Sequence, residues 1–355
     1  MITVLLDKAE FEYDIHSLVK AFYPKEEVYV STKDKEKKEE PVHYHMDVQF
    51  APEEIIFSLK KVEPSEENEN QTGITKRVAV DDTNRKETKN SLKRTLYQLL
   101  SEYTGVELPW GNLTGIRPTK IPMALLEEGK SEEEIARYMK ETYFTSDEKI
   151  KLSIEIAERE LELLHKLDYE EGYSLYIGIP FCPTTCLYCS FTSYSLAAWK
   201  NRMDEYLDAL EKELDYTAVK FAHKKLNSIY IGGGTPTTLN PQQLDRLIRK
   251  IKCSFDLSDL VEFTVEAGRP DSITREKLMV LRNHGISRIS INPQTMQQKT
   301  LDLIGRKHTV SQIRDAYHTA RSLGFDNINM DLIAGLPGET LADMEDTLSQ
   351  IKELE

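Results

Sequence analysis

The chain changes texture twice along its length. Before about residue 110, short β-rich runs recur: MITVLL, EEVYVS, HYHMDVQF, EIIFSL and ITKRVAV. Runs of this length and composition predict strands. An amphipathic stretch over 89–103 predicts the helix that packs on them. The polar tracts KDKEKKEE, 33–40, and EPSEENENQTG, 63–73, predict solvated loops between strands. From 119 to 167 the period becomes helical, and its last element puts Ile150, Ile154, Ala157, Leu161 and Leu164 on one face. Thr145 with Glu148 predicts a capping box there. The tract PWGNLTGIRPTK, 109–120, reads as a structured linker.

After Gly172 the pattern is strand followed by helix, repeatedly. Strands are predicted at 175–179, 228–231, 262–266, 288–291 and 327–332. Amphipathic runs such as MDEYLDALEKEL and PQQLDRLIRKI follow them. Alternating βα units imply a parallel sheet with right-handed crossovers, either doubly wound or curled into a barrel. The expected layout is an α+β domain over 1–110, a helical linker region over 111–170 and an α/β domain over 171–355. The sequence ends in LSQIKELE with no further strand, so an unfinished sheet is expected.

Candidate chemistry gathers at the predicted strand ends. A cysteine loop follows the first, GGGTPT the second, Glu266 ends the third, Gln294 follows the fourth and Asp331 lies late in the fifth. In a barrel, this is the end that carries the active site.

Composition narrows the classes. The chain has 355 residues and a formal net charge of -14, which opposes binding to nucleic acid. No apolar run is long enough for a membrane span. The amino terminus lacks a basic leader, and a cytoplasmic location is expected.

Three of the four cysteines, Cys182, Cys186 and Cys189, fall within YIGIPFCPTTCLYCSF, residues 176–191. Disulfides within so short a loop would be strained. Three thiolates instead suit three corners of a cubane iron-sulfur cluster, leaving the fourth iron open, as a catalytic site requires. The competing arrangement is zinc on three cysteines and one histidine, which needs His165 or His223 brought close by the fold. Cys253, in IKCSF, is expected to be an ordinary buried thiol.

The neighbouring residues each carry two readings. Gly233 and Gly234 let backbone approach a ligand closely, although a glycine-rich βα turn is weak evidence by itself. Glu266 ends VEFTVE and needs either a ligand or a salt bridge. Asp331, in NINMDLIAGLP, needs a polar partner. Taken alone, Arg306 could equally be a surface charge and Tyr176 a core aromatic.

The C-x3-C-x2-C spacing, Tyr188 before its last cysteine and the strand YIGIPF resemble a radical S-adenosylmethionine enzyme. Within that superfamily, IPFC, GGGTPT and NMDLIAGLPGET resemble the oxygen-independent coproporphyrinogen III dehydrogenase family. The layout before residue 173 is similar to its HemZ-like branch.

The resemblance implies a partial (β/α)6-type radical SAM barrel preceded by a smaller α+β domain. It implies a 4Fe-4S cluster on Cys182, Cys186 and Cys189, with S-adenosyl-L-methionine on the open iron. Tyr176, Tyr188, Gly233, Gly234, Thr235, Glu266, Gln294, Arg306 and Asp331 then fall at cofactor-binding positions, while no catalytic residue is assigned. Two departures stand out: Gly178 where many relatives have histidine, and Ser190 and Phe191 where some have a further cysteine. The implied reaction converts coproporphyrinogen III propionates to vinyl groups, with a one-electron donor such as flavodoxin or ferredoxin. A haem-binding or haem-delivery role in the same family, or another radical reaction on a tetrapyrrole, is the alternative.

Overall fold

The computed structural model describes residues 1–32, 42–62, 73–80, 83–168, 170–191 and 193–354. The predicted loop at 33–40, and all of that at 63–73 except Gly73, lie outside the described residues. The chain divides into two compact units, Met1–Leu163 and Leu164–Glu355.

The first unit contains β1 (Ile2–Leu6), α1 (Glu12–Phe22), β2 (Val28–Thr32), β3 (Tyr44–Phe50), β4 (Glu54–Lys61) and β5 (Ile74–Ala79). Four helices follow: α2 (Arg85–Thr104), α3 (Lys120–Glu127), α4 (Glu132–Tyr143) and α5 (Asp147–Leu164). The strand order is β2-β1-β3-β4-β5, with β1 parallel to both neighbours and β3, β4 and β5 antiparallel. Alternation buries Ile2, Val4 and Leu6 on β1 and Ile55, Phe57 and Leu59 on β4. These share one core with Ile15, Leu18 and Val19 of α1 and Leu92, Leu96 and Leu100 of α2. Truncating a side chain as buried as Phe57 to alanine costs about 3–5 kcal/mol. Helix α1 adds to the sequence reading, which predicts only one helix in this region.

The tract 109–120 is tied to the end of α4. Asn112 N and Ser146 N donate to Tyr143 O and Pro109 O at 2.9 Å each. Gly111 has φ 57°, and a Cβ there would overlap the Tyr143 carbonyl. The expected Thr145 capping box does not form. Ser146 O accepts from Ile150 N at 2.9 Å, so the helix starts one residue later, and buried Thr145 Oγ1 has no hydrogen-bond partner among the described residues.

The second unit begins with β6 (Gly172–Ile179), a short parallel pair β7 (Phe181–Cys182) and β8 (Tyr194–Ser195), α6 (Leu196–Trp199) and α7 (Met203–Lys220). Then come β9 (Lys225–Gly233), α8 (Pro241–Ser254), β10 (Glu262–Gly268), α9 (Arg275–Asn283) and β11 (Arg288–Ile291). Helices α10 (Gln298–Leu303) and α11 (Val310–Ser322), strand β12 (Ile328–Asn329) and α12 (Leu341–Lys352) complete it. The large sheet is parallel in the order β12-β11-β10-β9-β6. Each strand lies beside its predecessor with no reversal, which is the winding of a barrel wall rather than of a doubly wound sheet.

One face of this sheet is apolar. Ile177, Ile179, Ile229, Ile231, Phe263, Val265, Ile289 and Ile291 pack with Leu207, Leu244, Leu247 and Leu278 of the helices. The opposite face is polar and aromatic, carrying Tyr176, Tyr230, Glu266, Ser290 and Asn292. Strand β12 is shorter than the predicted 327–332. Pro293 cannot donate to a ladder and Gln294 has φ 68°, so pairing resumes only as an isolated bridge between Gln294 and Leu332. Cys253 is exposed, contrary to expectation. Helix α8 buries Leu244, Leu247, Ile248 and Ile251, and two residues past Ile251 the side chain points away from that face.

Candidate functional site

A cavity of about 700 Å³ opens at the carboxyl ends of the strands in the second unit. Cys182, Cys186 and Cys189 all line it. So do Tyr176 and Tyr188, the turn residues Gly233, Gly234 and Thr235, and the polar set Glu266, Gln294, Arg306 and Asp331. Every site residue singled out in the sequence therefore faces one space.

The cysteine loop is held from both sides. Leu187 N donates to Ile304 O at 3.0 Å, Cys189 N to Cys186 O at 3.1 Å and Tyr194 N to Pro180 O at 2.7 Å. All four cysteines are free thiols. Cys182 Sγ lies 3.5 Å from Thr235 Oγ1, so the glycine turn after β9 backs the loop. A Cβ on Gly234 would stand 3.0 Å from Cys182 Sγ, and only glycine leaves that cradle open. Neither His165 nor His223 lines the cavity, which removes the histidine that a Cys3His zinc site needs. Among the described residues, no three His, Cys, Asp or Glu side chains are placed to hold a single metal ion. A cubane makes a different demand, because each thiolate takes its own iron. Three soft thiols around an open cradle fit such a cluster.

Tyr188, Gln294 and Arg306 form a braced group. Tyr188 Oη donates to Gln294 Oε1 at 2.7 Å and accepts from Arg306 Nε at 3.1 Å. The buried Arg306 also donates to Asn292 O at 2.6 Å and to Gln294 Oε1 at 3.1 Å. Arg306 is thus no surface charge, and its fork is occupied by neighbours. Burial pushes the Tyr188 hydroxyl up to about 12, so it stays protonated.

Glu266 accepts from Asn292 Nδ2 at 3.2 Å. Burial, then the charge of Asp331, raises its carboxyl above the ordinary range. Tyr230, pushed up to about 12 by burial and by Glu266, stacks under Tyr176 with ring centroids 5.8 Å apart. Tyr176 is 63% exposed, so it is not a core aromatic. Asp331 accepts from Asn329 Nδ2 at 2.6 Å. At Gly178 an added Cβ would meet only the Tyr176 ring at 3.7 Å, so the site has room for a larger residue there.

Several lining residues escaped the sequence reading, namely Arg269, Asn292 and Tyr230. Asn292 and Arg269 obey the strand-end rule that exposed the others, each standing just past a strand. Tyr230 could have been found by its register opposite Tyr176.

Residues 176–351 match the model of the Radical SAM superfamily. This stretch is a radical SAM domain. Its cofactors are a 4Fe-4S cluster and S-adenosyl-L-methionine. The chain is 43% identical over 273 residues to the oxygen-independent coproporphyrinogen-III oxidase-like protein HemZ of Bacillus subtilis, covering 76% of this chain and 54% of that protein. It is also 43% identical over 180 residues to the heme chaperone HemW of the same organism, covering 50% and 46%. A solved structure of coproporphyrinogen III oxidase from Escherichia coli aligns at 33% identity with a TM-score of 0.49, covering 55% of this chain and 44% of that one. The chain thus spans about half the length of the curated relatives it matches. Among the described residues no helix is long and apolar enough to cross a membrane.

Proposed function

We propose that this radical SAM protein acts on a tetrapyrrole, converting propionate side chains of coproporphyrinogen III to vinyl groups without oxygen. Each conversion removes one hydrogen atom from the propionate β-carbon, then releases carbon dioxide and one electron, and that electron passes to an external one-electron acceptor. The observation that carries the reading is the HemZ alignment. At 273 residues it is longer than Leu164–Glu355 and so reaches into the first unit, whereas the HemW alignment is only 180 residues long.

Cys182, Cys186 and Cys189 would hold the cluster. When bound, the cluster and S-adenosyl-L-methionine supply a 5'-deoxyadenosyl radical from one injected electron. The rest falls to the chain's own groups. Gly233, Gly234 and Thr235 admit a ligand close to backbone. Glu266 and Asp331 offer acceptors to ribose hydroxyls or an ammonium group. Gln294 and Arg306 hold Tyr188 at the edge of the cysteine loop. The stacked Tyr176 and Tyr230 present a flat aromatic wall. A cavity so walled would position the reacting carbon. A small cytoplasmic one-electron carrier such as flavodoxin or ferredoxin would serve as donor.

The test supplies anaerobically reconstituted full-length protein with reductant, S-adenosyl-L-methionine and coproporphyrinogen III, and measures 5'-deoxyadenosine and vinyl tetrapyrroles. Vinyl product supports the assignment. Deoxyadenosine without vinyl product contradicts the substrate while leaving the cofactors standing. A second reading, haem binding, draws on the equal identity to HemW. Stoichiometric haem uptake without decarboxylation would favour it.

A further inference from the structure

Behind the cysteine loop lies a buried ion pair to which the proposed reaction gives no role. Arg269 directly follows the end of β10 and is 3% exposed. Its Nε and one terminal nitrogen donate to Asp271 Oδ1 at 3.0 Å and Oδ2 at 2.8 Å, a two-point fork. The other terminal nitrogen donates to Thr184 Oγ1 at 2.8 Å and Thr184 O at 3.1 Å. Thr184 sits in the loop between Cys182 and Cys186, and its hydroxyl donates onward to Gly305 O at 3.2 Å. One guanidinium therefore ties the middle of the cysteine loop to the end of β10.

The same group is a fixed charge. Burial works against the charge most strongly, but Asp271 and the sulfurs of Cys186 and Cys182 together hold the guanidinium above its ordinary range. Such coupling is mutual: a cation that the two sulfurs stabilise in turn stabilises negative charge on whatever they hold. A reduced cluster carries one more negative charge than an oxidised one. Fixed charge and hydrogen bonding around a cluster are among the means by which a protein sets its potential.

We infer that Arg269 is a positioning residue that clamps the cysteine loop through Thr184 and whose charge, opposed by Asp271, sets the reduction potential of the cluster. This rests on the cluster proposed above. It yields a signed pattern that a purely structural role does not. Arg269→Gln removes the cation and leaves Asp271 unpaired, so the midpoint moves to more negative values. Asp271→Asn leaves the cation unopposed, so the midpoint moves the other way. Arg269→Lys keeps the charge without the fork, and Thr184→Ala removes the clamp's hydroxyl. Both leave the midpoint near that of the parent but release iron to a chelator several-fold faster.

The experiment is a paramagnetic-resonance redox titration of the full chain, reconstituted anaerobically and assayed for iron, with chelator-driven iron loss in parallel. Opposite shifts for Arg269→Gln and Asp271→Asn support the inference. Shifts of one sign, or none, in protein loaded to the parent's iron content overturn it. Should Arg269→Gln take up no iron, Arg269→Lys and Asp271→Asn carry the test. Failure of the parent to take up iron would instead overturn the proposed cluster itself.

Discussion

Gly234 stands where any side chain would press on Cys182. An added Cβ would lie 3.0 Å from Cys182 Sγ and 2.9 Å from Phe181 O. Backbone cannot swing aside as a flexible side chain can, so the loop must shift. Overpacking of this kind costs about 1–3 kcal/mol. Gly234→Ala should therefore fold with a lowered denaturation midpoint and bind substoichiometric iron after anaerobic reconstitution, as measured by iron and sulfide content. Full loading would show that the cradle tolerates the methyl group.

Glu266 gives a pH signature in the ligand-free protein. Its folded carboxyl is raised by burial and by Asp331, so the folded state holds this proton more tightly than the unfolded one does. The stabilising contribution is complete below the unfolded value and is lost as pH rises through the folded value. Glu266→Gln should remove that dependence, raise stability at neutral pH and weaken S-adenosyl-L-methionine binding. Denaturant titrations across pH, together with ligand binding by calorimetry, check both halves.

His308 predicts the opposite sign. It is fully buried, and burial followed by Arg306 pushes its imidazole down to about 4. An unfolded histidine takes up its proton near about 6.5. Between those values the unfolded chain binds the extra proton, so stability falls as pH is lowered through the window. His308→Leu should flatten this part of the stability profile relative to the parent. An unchanged slope would assign the acid sensitivity to other groups.

Tyr188→Phe deletes one hydroxyl from a closed network. Arg306 Nε loses an acceptor and Gln294 Oε1 loses one of its two donors. Leaving a buried donor unmet costs about 1–3 kcal/mol. The hydroxyl stays protonated up to high pH, so the loss should be the same at pH 6 and pH 8. Chemical denaturation at both values tests this.

The features legible in the sequence were those with strong local signals. The cysteine spacing marked Cys182, Cys186 and Cys189 without any fold. Glu266 and Asp331 stood out as charges in apolar strands, and both line the cavity. Helix α1 carried its own signal, because Ile15, Leu18, Val19 and Phe22 follow helical spacing, but it lay among strand-like runs. Arg269 gave none: its role comes from Thr184, which is 85 positions away in the sequence. The brace on Tyr188 likewise joins residues more than 100 positions apart. Cys253 misled because a lone apolar residue near a helix end does not reveal its face.

The central claim is that Cys182, Cys186 and Cys189 together hold a cubane with an open iron. Its most direct measurement is the metal, sulfide and low-temperature paramagnetic-resonance analysis of anaerobically reconstituted full-length protein, with and without S-adenosyl-L-methionine. The account predicts about four irons and four sulfides per chain, a reducible 4Fe-4S signal that changes when S-adenosyl-L-methionine is added, and loss of that signal when any of the three cysteines becomes alanine. Tetrahedral zinc in the site, or a cluster signal indifferent to S-adenosyl-L-methionine, would contradict it.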